Sequence, residues 1–425
     1  MHGGRALFLA LMSVSASGQF RVAPEQSARL DFALTESLGR QTLACNAEST
    51  RPFLDFAFRF EIGYQVHCPL KEFGGVESTI AAYTRVQPVD GGTASWFIES
   101  YRVPGIPDEV RSRINLLREH SDIQFGGVIA SGEGEYAVDL VLVDRRHRLF
   151  HTNWRTKVAA HGAEMKAPLS MHANTVAALG PPDWPRTVSG RNLGRVTVMV
   201  DAAPIHAGST RLRSWDGAFL VEALSSVLTL LPSNSVRVVA FNLDQQQEVF
   251  QADDFSVRET QRLTDALDQL ELSKISYQAL GQAQESRRLL MDLLEREIHR
   301  EKPTDAIILL GPANRLSDRI PAEFVADRGA GAPPIFYLKY SPLVPPARFR
   351  MPLAALMSTR DDPTGDPTIL EAGNHGEFPD VIQYAAAVHD GVTMNLHSPA
   401  DLAEALRKID RKLHPVVASA GNMGR

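Results

Sequence analysis

A carboxylate at the end of a buried strand is the first place to look for chemistry in this sequence. Val196 to Asp201 reads VTVMVD and is followed by Ala202, Ala203, Pro204 and Ile205. In sheets of parallel strands, ligands bind beyond the carboxyl ends, so Asp201 stands where a ligand would be met. Hard cations such as Mg²⁺ require near-octahedral oxygen coordination. None of the four residues after Asp201 offers a side-chain ligand. The expectation is therefore no metal and no cofactor, with Asp201 capping the following loop through backbone N–H groups.

His206, Arg211, Arg213, Asn314 and Arg315 fall on loops that leave the same face. Guanidinium groups there suit bidentate pairing with a partner's carboxylates; the plainer reading is a solvated polar rim. Catalytic signatures are thin. The sequence has no G-x-S-x-G elbow, no H-E-x-x-H and no G-x-x-x-x-G-K-[ST] phosphate loop. His147 and His151 share a strand face with no carboxylate at a convincing spacing. Asp253 and Asp254 are adjacent on a strand, which sends them to opposite faces. The acidic cluster from Asp361 to Asp366 reads as solvated loop, with weak Ca²⁺ binding as the alternative.

Two cysteines, Cys45 and Cys68, are the whole complement. They make a disulfide candidate in an oxidising compartment, with two buried thiols as the alternative. Residues 1–18 read as a secretory signal peptide: Arg5, the apolar run Ala6 to Val14, then Ser15, Ala16, Ser17 and Gly18. That run is too short to span a bilayer, which takes about 20 residues. A net charge of −6 with no Lys/Arg run excludes a nucleic-acid footprint. The expected location is secreted or periplasmic, with no membrane span.

These groups need a scaffold, and the apolar spacing describes one. Leu54 to Cys68 alternates strictly, which predicts one long strand with a bend near Gly63. Further strands are expected at Ile80 to Val86 and Ser95 to Val103, with a hairpin at Gly134 to Asp144 and Leu149 to Val158. Tyr136 is similar to the tyrosine that ties a corner of immunoglobulin-like sandwiches. A β-sandwich is assigned to 20–160 and a Pro/Gly-rich linker to 161–190. From Arg195 the pattern becomes α/β: strands at 196–200, 235–243, 305–310, 335–340 and 392–396 alternate with helices at 215–231, 257–270, 279–298, 381–388 and 399–413. A short edge strand is expected at 248–250, and residues 341–379 form a long insertion. This predicts parallel pairing with right-handed crossovers over 191–415, then a tail at 416–425.

Strand order, helix placement and the strand-end Asp201 resemble a von Willebrand factor type A domain, with the closest likeness to secreted acidobacterial von Willebrand-related proteins. The resemblance implies an α/β fold, with a doubly wound, mostly parallel sheet preceded by an all-β immunoglobulin-like sandwich. Members with an adhesion metal site carry D-x-S-x-S after the first strand, a Thr before the third main helix and an Asp after the fourth strand. Here Asp201 is retained. The two serines fall on Ala203 and Ile205, the Thr near Ser276, whose hydroxyl is kept, and the Asp on Gly311. The resemblance thus implies a binding role with a degenerate metal site. The expected function is an exported, non-catalytic protein that recognises a protein or surface polymer through the loop face around Asp201, His206 and Arg315, or through the sandwich edge. The alternatives are a metal-dependent or hydrolytic envelope enzyme using acidic loop residues, and a structural envelope component.

Overall fold

The structure, a computed structural model, describes residues 19–37, 42–103, 105, 122–180, 193–205, 212, 214–231, 233–270, 283–312, 332–341 and 380–414. The expected signal peptide, the tail and all but the first residue of the 341–379 insertion lie outside them. The chain divides into two compact units. One holds the residues up to Gly162 with Leu169–Gly180; the other holds Ala163–Pro168 and the described residues from 193 onward.

In the first unit the elements are β1 (Phe20–Arg21), α1 (Pro24–Ser37), β2 (Asn46–Ser49), β3 (Phe53–Leu54), β4 (Phe60–Pro69), β5 (Ser78–Pro88), β6 (Ser95–Val103), β7 (Asp122–Ser131), β8 (Gly134–Asp144), β9 (Leu149–Val158) and β10 (Val176–Ala177). They form two antiparallel sheets, ordered β1-β6-β5-β8-β9 and β10-β7-β4-β2, with β3 also paired to β4. Tyr64, Val66, Ile123 and Phe125 of one sheet meet Ile80, Ala82, Leu140 and Leu142 of the other in a shared apolar core. Fully burying each of the aliphatic and phenylalanine side chains there, alanine aside, stabilises the fold by about 1.5–3 kcal/mol. The outer face of the first sheet is covered by α1, whose Leu30 packs with Tyr83, Trp96 and Val141. Asp31 on that helix accepts from Arg85 Nε (2.8 Å) and Trp96 Nε1 (3.0 Å).

The expected strand over 54–68 is broken at its start. Asp55 Oδ1 accepts the N–H groups of Ala57 (2.9 Å) and Arg59 (2.8 Å), and Phe58 takes φ 59°. This side-chain-capped turn overrides the alternation there, whereas pairing of β4 with β7 runs unbroken through Gly63. β7 itself was not expected, because Gly126-Gly127 interrupts its apolar pattern. The expected linker is partly ordered: β10 pairs with β7, and 162–166 form a 3₁₀ turn. Tyr136 donates to the Gly132 carbonyl at 2.8 Å, tying the corner into the β8–β9 hairpin. Cys45 and Cys68 are joined in a disulfide with a separation of 23 residues. Closing a loop of that length stabilises the fold by about 3 kcal/mol on a chain-entropy account.

In the second unit the elements are β11 (Leu193–Asp201), α2 (Ser214–Leu230), β12 (Ser233–Asn242), β13 (Gln247–Ala252), α3 (Val257–Asp268), α4 (Ala283–Ile298), β14 (Ala306–Pro312), β15 (Ile335–Tyr340), α5 (Val381–Val388), β16 (Val392–Leu396) and α6 (Pro399–Leu413). They make one sheet ordered β13-β12-β11-β14-β15-β16. Met199, Phe241, Leu309 and Tyr337 pack against Leu290, Leu293 and Leu294 of α4 and Ile382 of α5. Ser398 and Asp401 cap α6 reciprocally, with Pro399 in its first turn.

The expected fold class is corrected by this architecture. The sequence pointed to an α/β chain with a doubly wound, mostly parallel, von Willebrand type A-like sheet behind an immunoglobulin-like sandwich. The described chain is predominantly β, and ten of its sixteen described strands lie in the two antiparallel sheets. The third sheet is mixed, because β13 runs antiparallel to β12. The reversal is local: Asn242 Oδ1 accepts the Gln245 N–H at 2.7 Å and Gln246 takes φ 54°, closing a turn too short for a crossover helix. The sequence reading gave the helical periods of the second half more weight than the short strands of the first.

Glu99 of β6 is the polar group held between the two antiparallel sheets. It accepts from Tyr64 Oη (2.9 Å), Tyr101 Oη (2.6 Å) and Gln19 Nε2 (3.1 Å). A Cβ at position 127 would lie 2.2 Å from Glu99 Oε2, so glycine there makes the room. Burial raises the Glu99 pKa; the bonds from Tyr101, Tyr64 and Gln19 offset only part of that. A raised folded-state pKa contributes stability that is full below the unfolded value and lost as pH rises through the folded one. In urea unfolding, the wild type should therefore lose stability relative to Glu99→Gln as pH rises from 4 towards neutrality. Parallel profiles would contradict this assignment.

Candidate functional site

Asp201 ends β11 and is 1% exposed; Ala202 and Ala203 after it are also buried. The chain there is tied to the neighbouring strand. The Ala202 N–H donates to Phe241 O, and Asn242 Nδ2 donates to Ala202 O, both at 2.7 Å. Asp216, in the first turn of α2, is also 1% exposed and accepts the Ile205 N–H at 3.3 Å. Its charge suits a helix N-terminus. A third polar group, Tyr340, ends β15 and stacks on Phe219 of α2, with centroids 4.3 Å apart.

These groups share one electrostatic neighbourhood. Burial, followed by the charges of Asp216 and Asp201, pushes the Tyr340 phenol well above its ordinary value. The phenol therefore stays neutral at physiological pH, and among the described residues its buried hydroxyl has no hydrogen-bond partner. Gly311 of β14 closes the cluster: a Cβ there would lie 2.6 Å from Asp201 Cβ and 3.2 Å from Asp201 O. The site thus offers two inward carboxylates, a neutral phenol and no room for a side chain at 311.

Of the residues singled out from sequence at this face, Asp201 is described and buried. His206, Arg211, Arg213, Ser276, Asn314 and Arg315 lie outside the described residues. Asp216 and Tyr340 were missed. Asp216 carried a signal, an acid in the first turn of an expected helix; Tyr340 carried none beyond its place at the end of a strand. In the first unit, Asp139 lies 3.5 Å from His151 Nε2. This is a carboxylate neighbour that linear spacing did not reveal, because the two sit on paired strands β8 and β9.

No family model matches the chain, and no curated protein matches it. Among solved structures, the structural-genomics target SoR45 is 8% identical, with 28% of this chain and 95% of that one covered at a TM-score of 0.17. A glycosyl hydrolase family 2 member from Bacteroides cellulosilyticus is 13% identical, with coverage of 69% and 36% and a TM-score of 0.19. A calcium-binding mutant of Bacteroides uniformis beta-glucuronidase 2 is 9% identical, with coverage of 70% and 36% and a TM-score of 0.17. The chain spans about a third of the length of these two hydrolases. At such scores the architecture stands on its own sheets.

Two substitutions probe the packing of the crest. Gly311→Ala should cost about 1–3 kcal/mol through overpacking against Asp201. Tyr340→Phe removes a buried, unpartnered hydroxyl while keeping the stack, so it should be neutral or stabilising. Chemical denaturation reads both, and a marked loss in Tyr340→Phe would show that the hydroxyl is held by a partner.

Proposed function

We propose that this chain is an exported, non-catalytic binding protein that recognises a protein or a surface polymer without a bound metal. One observation carries the reading. The side chains from Asp201 through Ala203, and Asp216 opposite them, are buried rather than turned to solvent. A carboxylate so placed serves the packing of the crest, and contact with a partner falls to the loops that leave it. The Cys45–Cys68 disulfide supports a secreted or periplasmic location, since such bonds persist in oxidising compartments. Among the described residues no helix is long and apolar enough to cross a membrane.

The competing reading, a metal-dependent or hydrolytic envelope enzyme, draws on the nearness of Asp201 and Asp216 to Tyr340. Thermal denaturation with and without Mg²⁺, Mn²⁺ or Ca²⁺ separates the two. The expected result is an unchanged melting temperature; a rise that Asp201→Asn abolishes would favour the enzyme. Biolayer interferometry against purified envelope polysaccharide and envelope protein tests the loop face. His206→Ala and Arg315→Ala should each weaken binding about fivefold if they are anchors. Equal responses from wild type and variants would remove that face from the proposal.

A further inference from the structure

At the opposite end of β11 from Asp201, the amino ends of the strands border a charged cleft of about 1260 Å³. It lies within the second unit. Arg195 of β11, Arg237 of β12, Asp253 just beyond β13, and Arg296 and Arg300 at the end of α4 line it. Asp253 and Asp254 were expected on opposite faces of a strand. They lie past its end, and both turn to guanidinium groups.

The two interior arginines are supplied very differently. Arg237 forks onto the fully buried Glu297 through Nε (2.7 Å) and Nη2 (3.0 Å), reaches Asp253 through Nη1, and gives Nη2 to Gln251 Oε1 at 3.1 Å. Every arm of that guanidinium is used. Arg195 is also buried, its side chain 9% exposed against 3% for Arg237. Its Nη2 donates to Ser235 Oγ at 3.2 Å, and Asp254, itself 79% exposed, stands 3.8 Å away. Among the described residues its buried Nη1 has no hydrogen-bond partner. A charged donor left unmade out of water is expensive, and Arg195 carries one at the edge of the cleft. The planar fork of arginine matches the paired oxygens of an oxyanion.

We propose that this cleft is an oxyanion site: Arg195 forms its floor, Arg300 its mouth, and the ligand is a carboxylate, phosphate or sulfate group. Asp253 holds the mouth in the ligand-free chain. Its carboxylate lies 3.0 Å from Arg300 Nη2 and also contacts Arg237. Partial burial opposes its charge, but the Arg237 and Arg300 guanidinia outweigh that and lower its pKa. Asp253, with its side chain 58% exposed, is free to swing outward as the ligand's oxygens take its place beside Arg300. Arg237 stays fixed by Glu297, so the pocket keeps its shape during the exchange. The site is distinct from the Asp201 crest and does not rest on the function proposed above.

Inorganic phosphate and sulfate, titrated into the full chain at ionic strength matched with NaCl, provide the test. A saturable rise in melting temperature beyond the NaCl control is expected. Arg195→Gln should abolish it, and Arg195→Lys, which keeps the charge and loses the fork, should weaken phosphate at least tenfold by calorimetry. Arg300→Gln gives a second reading should Arg195→Gln fold poorly, and Lys408→Gln on the exposed face of α6 should leave the response unchanged. Galacturonate and polygalacturonate distinguish the source: tighter binding of the polymer per carboxylate identifies an acidic chain, and equal binding identifies a small free anion. A rise no greater than that with NaCl, or one that survives in Arg195→Gln, overturns the proposal.

Discussion

The second unit depends on β11 being hydrogen-bonded along both edges. It pairs with β12 from Leu193 to Asp201 and with β14 from Val196 to Val200. A strand held on two sides and buried on two faces has no freedom to slide. Its ends therefore become fixed points, and each carries a charge: Arg195 near one and Asp201 at the other. At about 3.3 Å per residue they stand roughly 20 Å apart. The same backbone ladder that makes the core thus holds two separate polar sites at a constant distance.

The carboxylates in this chain illustrate three ways of keeping a charge out of water. Glu297 is wrapped by guanidinium groups, and its burial is matched by opposite charge and a fork of hydrogen bonds. Glu99 is met by two phenols and an amide, neutral donors that favour its ionised form but offset only part of the cost of burial. Asp216 sits in the first turn of a helix, where backbone N–H groups and the helix dipole favour negative charge. Each arrangement constrains its neighbours in turn: guanidinia around Glu297, a missing side chain at Gly127 beside Glu99, an aromatic stack below Asp216.

Much of the element order was legible in the sequence because it is written in local periods. The ranges 95–103, 134–144, 149–158, 335–340, 381–388, 392–396 and 399–413 are the same in sequence and structure. What escaped is what local periods do not encode. β7 escaped because its two glycines answer to Tyr64 and Glu99 on other strands. The turn at Asp55 escaped because a side-chain cap imitates a continuing strand. The balance of the whole chain towards antiparallel sheets was underweighted because short strands carry weaker signals than amphipathic helices. At the crest, Asp201 was legible from its position at a strand end, while Tyr340 became visible only when β15 was laid beside β14. Arg195, within an apolar run, gave no hint of the cleft it floors.

The cross-link between Cys45 and Cys68 adjoins the β2–β4 ladder, one step beyond the pair Asn46 and His67. Only four residue pairs hold β2 in place, too few to choose one alignment over its neighbours by themselves. The covalent bond makes that choice, much as a pin sets the teeth of two combs. Shifted by a single position, β2 would turn Ala47 outward and send a polar neighbour into the core. Oxidation thus acts on which surface the outermost strand shows, as well as on how firmly it is held.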